Sequence, residues 1–243
     1  MANAPAIEIR CCCPSTPIAR AAFSSWTGVA CKHPEYIEQV LLMTHIRVRV
    51  ENLTFDFGKP LFTALSFVIP CGVSLVQGGE GRGKTSLMRL LAGDLHPASG
   101  TVQISGAAAQ GPSEIYWHDP RSEDWNALSP RNWCAQMRAR FSRFDDQEWN
   151  ALAAHLQLTE HMDKAMYMLS TGSQRKVNWI AGLACGADVL LMDEPFAAID
   201  MVSIQKLHAL LENWHSHQTS AWVLADYQVP GNVPLAAVVD LGD

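Results

Sequence analysis

Gly78-Gly-Glu-Gly-Arg-Gly-Lys-Thr85 has the spacing G-x-x-x-x-G-K-[ST]. Closely set glycines let a backbone wrap tightly and turn its amide N–H groups inward. Those amides, with the start of a following helix, bind phosphate oxygens. Lys84 is then expected to reach the β- and γ-phosphates of a nucleoside triphosphate, and the Thr85 hydroxyl to ligate Mg²⁺. Gly78, Gly79, Glu80, Gly81, Arg82, Gly83 and Ser86 complete the expected cradle.

Two further stretches carry polar groups suited to the same chemistry. Val189-Leu-Leu-Met-Asp-Glu-Pro195 sets two acids at the end of a short apolar run, the pattern of a buried parallel strand. Strand carboxyl ends line the ligand crevice in such sheets. Asp193 is expected to hold Mg²⁺, and Glu194 to orient or deprotonate an attacking water. Leu169-Ser-Thr-Gly-Ser-Gln-Arg-Lys-Val177 is a polar string before an apolar helical stretch. It reads either as a plain serine cap or as a helix start waiting for a phosphate.

The elements that must position these groups are legible in outline. His45–Val50 alternates polar and apolar side chains, as a half-buried strand does. Leu61–Pro70, Val73–Gln77 and, after Pro97-Ala-Ser-Gly100, Thr101–Ile104 read as further strands, with Gly58 and Gly72 at turns. The phosphate-loop candidate follows the strand Val73–Gln77. Leu87, Leu90 and Leu91 behind it give one helical face, ended by Gly93. Trp133, Met137 and Phe141, then Trp149, Leu152 and Leu156, recur at helical spacing and predict a helical insertion over 126–168. Ile204–Trp214 is predicted as an amphipathic helix, and Ala221–Ala225 and Ala236–Val239 as closing strands. Strands alternating with helices predict an α/β fold with a mainly parallel sheet.

Composition narrows the class. Of 243 residues, 48% are apolar and 17% charged, which suits a chain that buries a core. The net charge of −6 argues against a nucleic-acid partner. No apolar run approaches the roughly 20 residues of a membrane helix, so any membrane role is expected to be peripheral. Three of the seven cysteines are the adjacent Cys11, Cys12 and Cys13, a spacing that fits neither zinc nor a disulfide framework. Residues 1–43 lack periodic apolar pattern and carry four prolines. They read as a disordered extension, or Met43 is the true start and residues 1–42 lie outside the native protein.

The phosphate loop, the segment at 169–173 and the Asp-Glu pair, in this order, resemble the ATP-binding cassette (ABC) family of ATPases. The resemblance covers residues 44–243. It implies a P-loop ATPase core with a mainly parallel sheet, an N-terminal antiparallel β region and a helical subdomain over about 120–170. Leu169-Ser-Thr-Gly-Ser173 stands where that family has Leu-Ser-Gly-Gly-Gln; Ser170 and Gly172 match, and Thr171 and Ser173 depart. The resemblance implies that Ser170 and Gly172 bind the γ-phosphate of ATP held by a second, head-to-tail subunit. It also implies ATP and Mg²⁺ as cofactors, an integral membrane permease as partner, and a peripheral position on the cytoplasmic side of the inner or plasma membrane. Phe57 sits where the family often stacks an aromatic ring on adenine, with a core phenylalanine as the alternative. Ala197-Ala-Ile-Asp200 resembles the loop that crosses the dimer interface. The compact length and residues 193–200 are similar to the short haem-exporter type used in cytochrome c maturation.

Two positions depart from that pattern. His118-Asp-Pro120 follows the strand Ile115–Trp117 where the family has a glutamine, which aligns Asp119 with it as a candidate metal contact. The family's late histidine, which contacts the γ-phosphate, is replaced by Asp226 or Tyr227. Neither supplies a positive charge. The leading expectation is an ATP-hydrolysing transporter subunit that dimerises around ATP. A slow or non-hydrolysing regulatory module, or the degenerate half of a heterodimer, is the alternative. His118 is a third candidate for the missing imidazole.

Overall fold

The computed structural model describes residues 7–8, 46–56, 58, 60–106, 113–213, 219–227 and 231–242. Nine strands are described: β1 (Ile7–Glu8), β2 (Ile46–Asp56), β3 (Pro60–Pro70), β4 (Gly72–Gln77), β5 (Ser99–Ile104), β6 (Ile115–Trp117), β7 (Val189–Asp193), β8 (Ala221–Ala225) and β9 (Ala237–Asp240). The five α-helices described are α1 (Lys84–Ala92), α2 (Pro130–Arg140), α3 (Asp146–His155), α4 (Thr171–Ala184) and α5 (Met201–Asn213).

The strands form two sheets. One has the order β1-β9-β4-β8-β7-β6 and is parallel except at β1, which pairs antiparallel with β9. The other is antiparallel, in the order β3-β2-β5. This is the α/β P-loop arrangement expected, with its antiparallel region built from β2, β3 and β5. The expectation of a disordered extension over 1–43 falls outside the described residues, apart from Ile7–Glu8.

Side-chain alternation explains the layers. Successive residues of a strand face opposite ways. Val189 and Leu191 of β7 and Val223 of β8 therefore enter one core with α1 and the inner face of β2 and β3. Leu190, Met192, Trp222 and Leu224 enter the other, against α4 and the helices before it. The parallel strands are buried on both faces, and for that reason read as continuous apolar runs. The helical region packs Cys134, Met137, Phe141, Trp149, Leu152 and Leu156 inward. That region comprises α2, α3 and two short 3₁₀ turns at Thr159–His161 and Met166–Met168.

Helix boundaries follow local chemistry. α2 begins with Ser129, whose Oγ accepts from the Asn132 amide, and α3 with Asp145, which accepts from the Gln147 and Glu148 amides. α5 begins at Met201, three residues before the expected Ile204. Asp200 caps it, its carboxylate accepting from the Ser203 amide at 2.8 Å. Periodicity marks where apolar residues recur, and a capping carboxylate ahead of them moves the start. Among the described residues no helix is long and apolar enough to cross a membrane.

Candidate functional site

The phosphate-loop candidate leaves the carboxyl end of β4, at the centre of the six-stranded sheet, and runs into α1. Gly83 immediately precedes the helix with φ 92°, a left-handed conformation that suits glycine. A Cβ there would also come within 2.6–2.8 Å of Leu61 and Phe62 side chains. Glu80, Gly81 and Arg82 are exposed at the rim, while Thr85 and Ser86 are half-buried in the first turn. Lys84 is buried and folds back over the loop. Its Nζ donates to the carbonyls of Gly78 at 2.6 Å and Gly79 at 2.9 Å. It also lies 3.8 Å from the centre of the Tyr227 ring.

The acids at the end of β7 face this loop. Thr85 Oγ1 donates to Asp193 Oδ2 at 2.5 Å. Burial pushes the Asp193 carboxyl above its ordinary range. The Thr85 hydrogen bond and Arg121 pull it back, and the negative charges of Glu194 and Asp119 add to the rise. A hydroxyl and a carboxylate oxygen that converge on a buried, anion-rich spot suit Mg²⁺. That ion is usually held by one or two carboxylates together with substrate phosphates and water. Among the described residues no group of three or more His, Cys, Asp or Glu is arranged to hold a metal. Asp119 Oδ1 accepts from the Arg121 amide at 2.9 Å, and Oδ2 lies 3.9 Å from Arg89 Nε.

Glu194 has φ 45°, a left-handed backbone that costs a non-glycine residue about 1 kcal/mol or more. Its amide donates to Ala225 O at 2.8 Å, so β8 holds this conformation. The side chain is 43% exposed. Of the two residues that replace the late histidine, Tyr227 lies against Lys84. Asp226 is pinned by its own amide to Val76 O at 3.1 Å, and its carboxylate accepts from the Tyr227 amide at 2.7 Å. Burial raises the Asp226 carboxyl, and the charge of Glu194 adds to that; the Tyr227 amide, Lys84 and Arg175 oppose it. The His118 ring lies tilted 3.9 Å from Trp125 and edge-on 5.3 Å from Trp133. Burial lowers its pKa to about 4, so the imidazole is neutral near pH 7. Phe57 lies outside the described residues.

Ser170 caps α4, its Oγ accepting from the Ser173 amide at 3.1 Å. Both it and Thr171 are exposed. Gly172 is buried, because the helix start packs on the segment after the Asp-Glu pair. A Cβ on Gly172 would come within 2.3 Å of Ala198 O. Arg175 and Lys176 strengthen the same dock. Arg175 Nη1 donates to Ala197 O at 3.1 Å, and Lys176 Nζ to Asp200 Oδ2 at 3.4 Å. Gly172→Ala is therefore expected to cost about 1–3 kcal/mol through overpacking. At roughly 2–4 °C per kcal/mol for a chain of this size, thermal denaturation should show a fall of several degrees in Tm.

The structure thus brings Lys84, Thr85, Asp193 and Glu194 into one crevice, and leaves Ser170 and Thr171 exposed at a separate helix start. Sequence reading missed the contact of Arg175 with Glu194, whose carboxylate lies 3.7 Å from Nη2. The two residues are 19 positions apart on different elements, and no spacing rule joins them. It also left Tyr227 and Asp226 interchangeable.

Comparison with known proteins agrees with this geometry. A family model for ABC transporters matches residues 63–197. The ergothioneine transport ATP-binding protein EgtV of Helicobacter pylori is 28% identical over 74% of this chain and 89% of its own length. The taurine import ATP-binding protein TauB of Pseudomonas fluorescens is 30% identical over 63% of this chain. This chain spans 60% of TauB, less than two thirds of that relative. Among solved structures, cbiO1 from Clostridium perfringens, part of the ABC transporter complex cbiONQ, superposes with a TM-score of 0.56. It does so at 19% identity, over 76% of this chain and 79% of its own.

Proposed function

The chain belongs to the ABC transporter family, and from that premise we propose that it is the ATP-binding, ATP-hydrolysing subunit of a membrane transporter, closing as a dimer around Mg-ATP. The observation that carries this reading is the convergence of Lys84, the Thr85–Asp193 pair and Glu194 at the carboxyl ends of β4 and β7. Residues 78–86 wrap the phosphates with backbone amides, and Lys84 exchanges its carbonyl and ring partners for phosphate oxygens. Thr85 and Asp193 would hold Mg²⁺, which would supply neutralisation of phosphate charge. Glu194 accepts a proton from, or orients, the attacking water. Ser170 and the amides around Gly172 meet the γ-phosphate of the nucleotide on the other subunit. The exposure of Ser170 and Thr171 and the positive end of α4 support that role.

The partners in this reading are a second ABC ATPase subunit, identical or not, and an integral membrane permease. The chain would sit peripherally on the cytoplasmic face of the inner or plasma membrane. Residues 44–243 form the ATP-binding domain, with 120–170 as the subdomain that meets the permease. The likeness of residues 193–200 to the short haem-exporter type supports a cassette paired with a haem-handling permease.

A slower variant of the same function is favoured by one observation: Tyr227, not a histidine, lies on Lys84. A phenol donates a hydrogen bond but carries no positive charge to the γ-phosphate. Wild-type turnover is expected to be slow. Tyr227→His should raise steady-state phosphate release about tenfold or more, since one positioned acid–base group contributes roughly 10²–10⁴ in rate. Asp226→His and His118→Ala, measured alongside, should not raise it. Brisk wild-type turnover that Tyr227→His leaves unchanged would contradict this assignment.

A further inference from the structure

Arg175 and Glu194 meet across the base of the site, and the function just described gives Arg175 no role. It is the fifth residue of α4, and its side chain is 18% exposed. The guanidinium reaches two acceptors on the segment that follows β7. Nη1 donates to the Ala197 carbonyl at 3.1 Å, and Nη2 lies 3.7 Å from Glu194 Oε2. Its buried Nε has no hydrogen-bond partner, so these outer contacts are what hold the group in place. Among the described residues, Arg175 is the one cation within 4 Å of the Glu194 carboxylate.

We infer that Arg175 is a positioning residue for Glu194, fixing its carboxylate from α4 so that the free oxygen is held toward the attacking water. The Glu194 backbone is already fixed by its amide bond to Ala225 O and by a left-handed φ. That restraint stops at the Cα. The side chain is 43% exposed, and without a partner it would sample several rotamers. A planar fork can hold a carbonyl and a carboxylate at once, whereas an ammonium reaches as a point charge. Oε2 is the Glu194 oxygen that faces Arg175, at ion-pair distance. A base must aim one oxygen at water, and a cation beside the other narrows its rotation.

Ser170 and Gly172, which would meet the partner's nucleotide, begin the helix that carries Arg175. Gly172 against Ala198 O, Arg175 against Ala197 O and Lys176 against Asp200 lock this helix start to residues 197–200. This inference rests on the reading of Glu194 as the residue that acts on water.

The test compares Arg175→Met and Arg175→Lys with wild type and Glu194→Gln in the full chain, by steady-state phosphate release and titration with a fluorescent ATP analogue. Arg175→Met should lower kcat about tenfold, with KM and ATP affinity within about twofold of wild type. Arg175→Lys should recover part of the loss. In the Glu194→Gln background, Arg175→Met should cause no further loss. Retained ATP binding in each variant separates this from misfolding. Turnover of Arg175→Met that equals or exceeds wild type, while Glu194→Gln is inactive, would overturn the inference alone. Full activity of Glu194→Gln would overturn the reading beneath it as well.

Discussion

Glu194→Gln is expected to reduce phosphate release by about 10²–10⁴ while leaving ATP affinity within roughly threefold of wild type. The amide keeps the size and one carbonyl oxygen of the carboxylate but cannot accept the proton of an attacking water. A positioned general base contributes about that range in rate. Affinity should survive because the phosphates are held by residues 78–86, and Glu194 stands beyond them at the end of β7. Its backbone, at φ 45°, is held by the amide bond to Ala225 O, which the substitution leaves in place. Single-turnover hydrolysis, with binding measured separately, distinguishes the two effects. Loss of binding together with turnover would mean that Glu194 shapes the phosphate site itself.

Lys84→Ala is expected to weaken ATP binding about ten- to a hundredfold. The loop presents one buried ammonium to the phosphates, and its contacts with Gly78 O, Gly79 O and the Tyr227 ring show how it is aimed. Losing one charge-assisted contact costs about 1.5–3 kcal/mol, which converts to that factor. The fold should hold, since alanine favours the helix that begins at this position. Titration with a fluorescent ATP analogue measures the change. An affinity equal to wild type would show that the loop does not bind the triphosphate through Lys84.

The parts of the fold that were legible in sequence are those written in local pattern. β7 and β8 read as unbroken apolar runs because both of their faces are covered. The glycines at 78–83 read as a phosphate loop because the motif couples their spacing to a strand before and a helix after. Helices α2 and α3 followed from apolar recurrence. The start of α5 did not, because a capping carboxylate at Asp200 set it rather than periodicity. Within the site, Lys84, Thr85 and Asp193 came from spacing. The long-range contacts did not. Gly172 invited a reading about exposed amides, yet the glycine is needed where α4 presses on Ala198 O. Tyr227 over Lys84, Arg175 beside Glu194 and His118 between two tryptophans depend on how distant elements pack.

The central claim is that ATP joins the phosphate loop of one subunit to the start of α4 in another. Light scattering of Glu194→Gln, without nucleotide, with Mg-ADP and with Mg-ATP, tests it most directly. This variant should accumulate the ATP-bound state because it does not turn over. A monomer mass is expected in the first two conditions and a doubled mass with Mg-ATP, lost again on adding Ser170→Arg at the exposed helix start. An unchanged monomer mass at ATP concentrations that saturate the site, with or without the permease, would contradict it.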